Sequence, residues 1–563
     1  MADGPGEGAA RTASMVACDQ NGSAPLIWNP VLNRGTRFSR NERLVKNLLG
    51  LIPPAVESLE LQAERVMSQL REASKDIDKY TILNDLATAN LSLFYKVLVD
   101  NLVDLLPIVY TPTVGQGCME YGRLFRSPLG MYFSGFDDKG RFREMLDNWY
   151  SDEVDIIVVT DGGRILGLGD LGTNGMGISV GKISLYVAGA GFHPERALPV
   201  TLDCGTDRKE MLEDKFYLGK KVPRLRGDAH MEVVEEFCLA VKEKWPNCLV
   251  QFEDFQTERA FAILDRMRDR MLCFNDDIQG TGAVVLSGFI NGMRVQKTDL
   301  SDARVVFYGA GSSACGVAGM IAKLIETEAK VSSQEAFKAV YLVDSKGLIT
   351  NTRGDKLAPH KVPFARTDGT PNMTSLVDII AHVKPHALFG LSGSGPSFDK
   401  GVIEEVCKYC ARPLIFPLSN PTSKAEITAE NAIHWSKGKA IFAAGSPFPE
   451  VEYEGKTYKP GQANNVFIFP GVGFGAVNVK ATKVTDEMLV AAAKALAKSV
   501  FPEELERGQI YPEIQDLRKI CVKIAAEVGK CAMEQGVARL DRKPFNMAAH
   551  MLSRMWTAGV DDE

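Results

Sequence analysis

Apolar positions recur at helical spacing between residues 40 and 105: Leu59, Ala63, Val66, Met67 and Leu70 share one helix face, and a longer apolar stretch runs from Leu83 to Leu105, with Pro107 as its predicted stop. The period then changes. Short apolar runs follow at VDIIVVT (154–160), CLVQFED (248–254), RMLCFND (270–276), RVVFYG (304–309), AVYLVD (339–344), PHALFGL (385–391), PLIFPLS (413–419) and KAIFAAG (439–445). Most are continuously apolar and separated by helix-length segments, as strands buried on both faces of a parallel sheet are. The pattern predicts an α/β fold with a helical N-terminal part and no internal repeat.

Two of these runs end in paired acids. QFEDFQTERAFAILDRMRDRMLCFNDD reads as strand, helix, strand, with both strands running the same way. Glu253, Asp254 and Asp277 then project from the carboxyl ends of adjacent strands with Asp276 beside them, and a Gly-Thr-Gly turn is expected after the second pair. Four carboxylates in one crevice cannot all stay ionised unaided. A hard divalent cation, Mg²⁺ or Mn²⁺, takes oxygen ligands of this kind. Solvated strand-end caps or helix N-caps are the alternative.

Composition narrows the classes. A chain of 563 residues is long enough for two or more domains. A net charge of −6 without a long Lys/Arg block argues against a nucleic-acid partner. Asp and Pro break apolar stretches such as VLVDNLVDLLPIVY well short of a membrane span. Residues 1–24 are small, polar and Gly-rich, which reads as a disordered tail rather than a secretory or transit signal and points to the cytoplasm, with the mitochondrion as the alternative. Eleven scattered cysteines fit reduced thiols, and Cys407 and Cys410 of CKYC fall on a predicted helix without a second ligand pair.

A second chemistry begins at RVVFYGAGSSACGVAGMIAKLI. Gly309, Gly311 and Ala314 fit GxGxxA after a strand and before a helix, where backbone N–H groups, with Ser312 and Ser313, can meet a pyrophosphate. The next strand ends in Asp344, placed for an adenosine ribose hydroxyl; its distance from Gly311 requires an inserted turn or helix at VSSQEAF. Ser345, Lys346 and Lys361 could hold a 2′-phosphate, which favours NADP over a weaker NAD. The loops LSGSGPS, LSNPT and AAGSP at later strand ends suit a dinucleotide lying across the sheet edge. RILGLGDLGTNGMGISVGKISLY fails the phosphate-loop pattern, leaving a flexible backbone that presents Arg164 and Lys182.

VYTPTVG (109–115), DGGRILGLGDLG with GMGISVGK, FEDF, CFNDDIQGT, GAGSSACG, LSNPT, GSPF and GQANNVFIFPGV resemble, in order, the motifs of the malic enzymes across about residues 25 to 535, and VDSKGLI is similar to the eukaryotic, NADP-dependent, cytosolic type. The resemblance implies oxidative decarboxylation of L-malate to pyruvate and CO₂ with a divalent metal. It implies Glu253, Asp254 and Asp277 as metal ligands, Lys182 as general base assisted by Asp276, Tyr110 as general acid, Arg164 as carboxylate clamp, and Asn420 with Asn464 or Asn465 as substrate ligands. Lys182 would then need a pKa lowered by burial and by the cation. The implied architecture is a helical N-terminal domain (25–127), a central α/β domain (128–277 and 464–536) into which a Rossmann-like dinucleotide domain (278–463) is inserted, and a C-terminal tail (537–563), assembled as a homotetramer of two dimers or as a homodimer. Fumarate-activated members carry an arginine where Ala89 stands, although Glu57 and Arg65 match, so fumarate control is not expected. Gln256, Thr257 and Glu258 also depart from the family pattern beside the metal ligands.

Overall fold

The computed structural model describes residues 25–420 and 422–560, so the tail expected at 1–24 lies outside the described residues. Among the described residues there are fourteen strands: β1 (Met131–Ser134), β2 (Ile156–Thr160), β3 (Ala197–Asp203), β4 (Leu249–Phe252), β5 (Cys273–Asn275), β6 (Val305–Tyr308), β7 (Val340–Asp344), β8 (Gly347–Leu348), β9 (Ala387–Gly390), β10 (Leu414–Pro417), β11 (Ile441–Ala444), β12 (Val451–Tyr453), β13 (Lys456–Tyr458) and β14 (Gly461–Gln462). All eight apolar runs form strands. They divide between a five-stranded sheet ordered β1-β3-β2-β4-β5 and a seven-stranded sheet ordered β14-β11-β10-β9-β6-β7-β8, with β12-β13 a separate hairpin. The pairings within the two large sheets are parallel except β7 with β8. Burial explains the continuous apolar runs: every residue of β2, IIVVT, is buried, and each such Val or Ile contributes roughly 1.5–3 kcal/mol.

The helix Leu59–Glu72 buries Leu59, Ala63, Val66, Met67 and Leu70, the face expected from their spacing. The stretch from Leu83 to Leu105 is not one helix halted by Pro107. It falls into the helices Asp76–Ala89, Leu91–Asp100 and Leu102–Val109, broken at Asn90 and Asn101, and Pro107 lies inside the last. Proline is tolerated there because the carbonyl its missing N–H would have bonded belongs to Val103, which is 53% exposed to water. The strand β3 escaped the sequence pattern because Pro199 sits in its middle, a residue that normally argues against a central strand.

After β14 the chain returns towards the first sheet: helix Phe469–Asn478 contacts β4 and packs on helix Leu517–Glu534, which in turn carries Met547–Leu552. Both large sheets therefore point the carboxyl ends of their strands towards one cleft.

Candidate active site

The βαβ unit places the acids as its strands dictate. β4 and β5 pair in parallel, Phe252 opposite Asn275, so Glu253 and Asp254 leave one strand tip beside Asp276 and Asp277 at the next. Asp276–Gly280 is a single π-helical turn, and residues 280–282 do not form a Gly-Thr-Gly turn: Thr281 opens the helix Thr281–Gln296. The glycines serve packing. A Cβ on Gly280 would lie 1.8 Å from Asp276 Oδ1, and one on Gly316 of the dinucleotide-side helix would lie 2.2 Å from the Ile278 carbonyl.

Glu253, Asp254 and Asp277 each bring one carboxylate oxygen within 4.8 Å of the others. Burial first, and mutual repulsion with it, pushes the pKa of Glu253 and Asp254 well above the carboxylate range and raises that of Asp277. Asp254 holds a φ of +56°, a conformation costly for a side-chain-bearing residue. It is fixed there by the neighbouring loop: Arg164 N–H donates to its carbonyl at 2.9 Å, and Leu166 N–H to its carboxylate at 3.2 Å. Three mutually repelling oxygen donors on fixed backbone, two buried and Asp277 half-buried, fit a small divalent cation and oppose an apolar or soft ligand.

Lys182 lies on the helix Met176–Leu185, and this part of the glycine-rich stretch is a buried helix rather than flexible backbone. Gly181 lets the helix approach the Val109 carbonyl, which a Cβ would meet at 2.7 Å. The Lys182 ammonium donates to Asp276 Oδ2, pairs with Glu253 Oε1 at 3.0 Å, and stands 5.4 Å from the Tyr110 ring centre and 4.4 Å from that of Phe469. Its pKa is not lowered. Burial pulls it down, but the Asp276 and Glu253 carboxylates outweigh burial and hold it well above its ordinary value. Burial likewise raises the Tyr110 phenol and keeps it protonated.

A cleft of about 360 Å³ brings together Tyr110, Arg164, Lys182, Glu253, Asp254, Asp277, Gly311, Ser312, Ser313, Ala314, Asn420, Asn464 and Asn465. Asp276 does not line it; it is fully buried behind Lys182, where Asn465 Nδ2 donates to it at 2.9 Å. Asn464 caps a turn through Val466 N–H, and Asn420 accepts from Ser446. The Arg164 guanidinium donates to Thr257 Oγ1 at 2.6 Å and Ser312 Oγ at 3.2 Å, so the departure at Thr257 touches the expected clamp directly. Lys424, which sequence reasoning missed, also lines the cleft and donates to the Gly167 carbonyl at 2.9 Å.

Gly309 turns at φ +124° against Leu391, and Gly311 precedes the helix Ser312–Glu328 with open space where a Cβ would stand. The expected insertion before β7 is the helix Ser333–Phe337. Asp344, Ser345, Lys346 and Lys361 lie outside the cleft, at the far edge of the same sheet. Lys361 pairs with Asp344 at 2.9 Å and Lys346 with Asp355 at 3.1 Å. Arg353, absent from the sequence reading, forks onto both Asp344 (2.7 and 3.0 Å) and Asp355 (2.7 and 3.0 Å). Although partial burial alone would raise it, these cations lower the Asp344 pKa to about 2.

Beneath the Arg164 loop lies a buried ionic network. Asp161 pairs with Arg224 at 3.0 Å and His230 at 2.8 Å and accepts Gly163 N–H at 2.8 Å, while Arg224 also grips Asp170 at 2.6 Å. Burial opposes the Asp161 charge, but Arg224 and His230 bring its pKa down to about 2. Arg224→Ala removes the cation shared by buried Asp161 and half-buried Asp170, leaving Asp161 with His230 and, at 3.6 Å, Arg259, and should cost about 3–5 kcal/mol in denaturant unfolding; a loss below about 1 kcal/mol would show that water reaches the network.

Among the described residues, Cys407 and Cys410 form no metal-binding group, and the ten described cysteines are free. Glu57 and Arg65 bond to each other, and Ala89 offers only its carbonyl, to Asn33 at 2.8 Å.

A parallel dinucleotide-type sheet facing a cleft lined by a buried lysine and an acidic triad is the architecture of a nucleotide-dependent oxidoreductase. Two family models match, "Malic enzyme, N-terminal domain" at residues 87–268 and "Malic enzyme, NAD binding domain" at 278–533. The chain is 50% identical over 542 residues to an NADP-dependent malic enzyme of Dictyostelium discoideum, covering 96% of this chain and 99% of that one. It is 45% identical to a chloroplastic NADP-dependent malic enzyme of Oryza sativa subsp. japonica, over 94% of this chain and 83% of that one. Its fold is similar to the malic enzyme of Pyrococcus horikoshii, with a TM-score of 0.55 at 26% identity over 80% of this chain and 89% of that one. The chain belongs to the malic enzyme family.

Proposed function

We propose that the protein oxidises and decarboxylates L-malate to pyruvate and CO₂, reducing NADP, with Mg²⁺ or Mn²⁺ held by Glu253, Asp254 and Asp277. The observation that carries this reading is the convergence of Lys182, Tyr110 and three mutually repelling acids in one cleft with the dinucleotide turn. When bound, the cation polarises malate's hydroxyl oxygen and offsets the field of Glu253 at Lys182, and NADP accepts the hydride. Lys182, an ammonium beside Asp276 and Glu253, passes one proton inward to Asp276 and so becomes able to take the C2 hydroxyl proton. Tyr110, kept protonated by burial, delivers a proton to C3 once CO₂ has left. Arg164 clamps a carboxylate of malate, and Asn420, Asn464 and Asn465 orient the remainder.

Lys361, Lys346 and Ser345 beyond Asp344, with Arg353 beside them, would hold the 2′-phosphate of NADP. Lys361→Gln should weaken NADP about tenfold or more while sparing NAD; an unchanged cofactor ratio would move that contact elsewhere. The domain division given above belongs to the same proposal, as does a homotetramer or homodimer. Trp28, Leu44, Val45 and Val56 support assembly, being 81%, 61%, 79% and 55% exposed on the N-terminal segment. No helix among the described residues is long and apolar enough to cross a membrane. The free cysteines support a reducing compartment, the cytoplasm. The test of the activity is purified protein with malate and Mn²⁺, NADP against NAD, with and without chelator, following reduced cofactor and CO₂ together. Cofactor reduction without CO₂, or undiminished turnover in chelator, would overturn it.

A further inference from the structure

One buried acid near the cleft has no place in the reaction just described. Glu426 is 0% exposed and lies just after the loop that follows β10. Its Oε1 accepts Ser392 N–H at 3.0 Å, Ser392 Oγ at 2.9 Å and Ser419 Oγ at 2.5 Å. Ser392 belongs to the loop at the tip of β9 and Ser419 to the loop at the tip of β10, and Gly393 N–H donates to Ser419 Oγ at 2.9 Å. The Glu426 carbonyl accepts Ser397 and Phe398 N–H, both at 2.9 Å, and so secures the far end of the β9 loop. One residue therefore ties two loops together from below, while Gly393, Ser419 and Asn420 on their upper side line the cleft.

The space for this carboxyl is reserved by sequence. A Cβ on Gly390, the last residue of β9, would fall 2.5 Å from its carboxyl carbon and 2.6 Å from Oε2. Oε2 has no hydrogen-bond partner among the described residues. Burying a carboxyl with one oxygen unsatisfied costs stability, which packing alone would not require of this position. The strand order explains what is gained. β9 and β10 lie on one side of β6 and its glycine turn, whereas β7 and Asp344 lie on the other. A dinucleotide whose adenosine half reaches Asp344 must lay its nicotinamide half over the β9 and β10 loops.

We infer that Glu426 is a positioning residue: from beneath, and without touching the cofactor, it fixes the paired loops that receive the nicotinamide half, and so sets cofactor affinity. The inference rests on the proposed assignment of this sheet to the dinucleotide. Loops already fixed lose less freedom on binding, so the effect falls on affinity rather than on the chemical step.

The test is fluorescence titration of full-length protein with NADPH, alongside kcat, KM for NADP, Mn²⁺ affinity and thermal unfolding. Glu426→Ala should raise the NADPH dissociation constant and the KM for NADP about tenfold or more, with kcat at saturation within about threefold and Mn²⁺ affinity unchanged. Glu426→Gln retains an acceptor oxygen and should recover most of that affinity. Where Glu426→Ala does not fold, Ser392→Ala, which removes one donor of three, should raise the dissociation constant about threefold. Folded variants that bind NADPH as the wild type does, or a fall in kcat at unchanged dissociation constant, would overturn the role of Glu426. A wild-type protein that binds no NADPH would instead overturn the cofactor assignment beneath it.

Discussion

Lys182→Ala should lower kcat for malate oxidation by about a thousandfold, within the range by which a positioned base accelerates proton transfer. Removal of the ammonium also leaves Asp276 and Glu253 facing each other in the interior, both having been its partners. The same variant should therefore be less stable by about 3–5 kcal/mol without metal. The two effects separate cleanly: Mn²⁺ compensates Glu253 and restores part of the stability, but it cannot restore the base. Single-turnover measurement of hydride transfer in Mn²⁺-loaded Lys182→Ala is the decisive reading, and wild-type rates there would remove Lys182 from the chemistry.

Metal binding should stabilise the protein more as pH rises. In the metal-free fold Glu253, Asp254 and Asp277 have pKa values raised above their ordinary 4.5, 3.8 and 3.8. A carboxyl raised on folding binds more protons in the native than in the unfolded chain. Its contribution is fully present below the unfolded pKa and is lost as pH rises through the native one. Lys182, raised above 10.5, keeps its contribution throughout that window and does not mask the trend. A cation that takes the place of those protons must bind tighter where they are scarcer. The gain in Tm on adding Mn²⁺ should thus be larger at about pH 8 than at about pH 5.5. A gain that is flat or shrinks with pH would mean that the three acids do not release protons to the metal.

The parts of this site that were legible in the sequence share a cause. Glu253, Asp254 and Asp277 follow continuously apolar runs, and once β4 and β5 are read as parallel their tips must coincide. Gly309 was legible because a left-handed turn pressed against Leu391 admits few other residues, and Gly311 because it stands in the same motif at the start of the helix Ser312–Glu328. Lys182 was harder. Glycines at 175, 177 and 181 conceal the helix Met176–Leu185, and only the family resemblance gave its lysine the role of a base. Its raised pKa depends on Asp276 and Glu253, 94 and 71 positions away in the chain, and no local pattern carries that. Arg353 and Glu426 sit in irregular segments whose partners are set by tertiary contact, so neither periodicity nor motif marks them. The strand β3 was hidden by Pro199, whose lost ladder bond the surrounding parallel sheet absorbs.

The central claim is that Glu253, Asp254 and Asp277 together hold one divalent cation. Mn²⁺ titration followed by electron paramagnetic resonance, on wild type, Glu253→Gln and Asp277→Asn, tests it most directly. The account predicts one tight Mn²⁺ per chain in the wild type and loss of that ion in both variants while NADPH still binds. A tight ion retained at full affinity in both variants would contradict it.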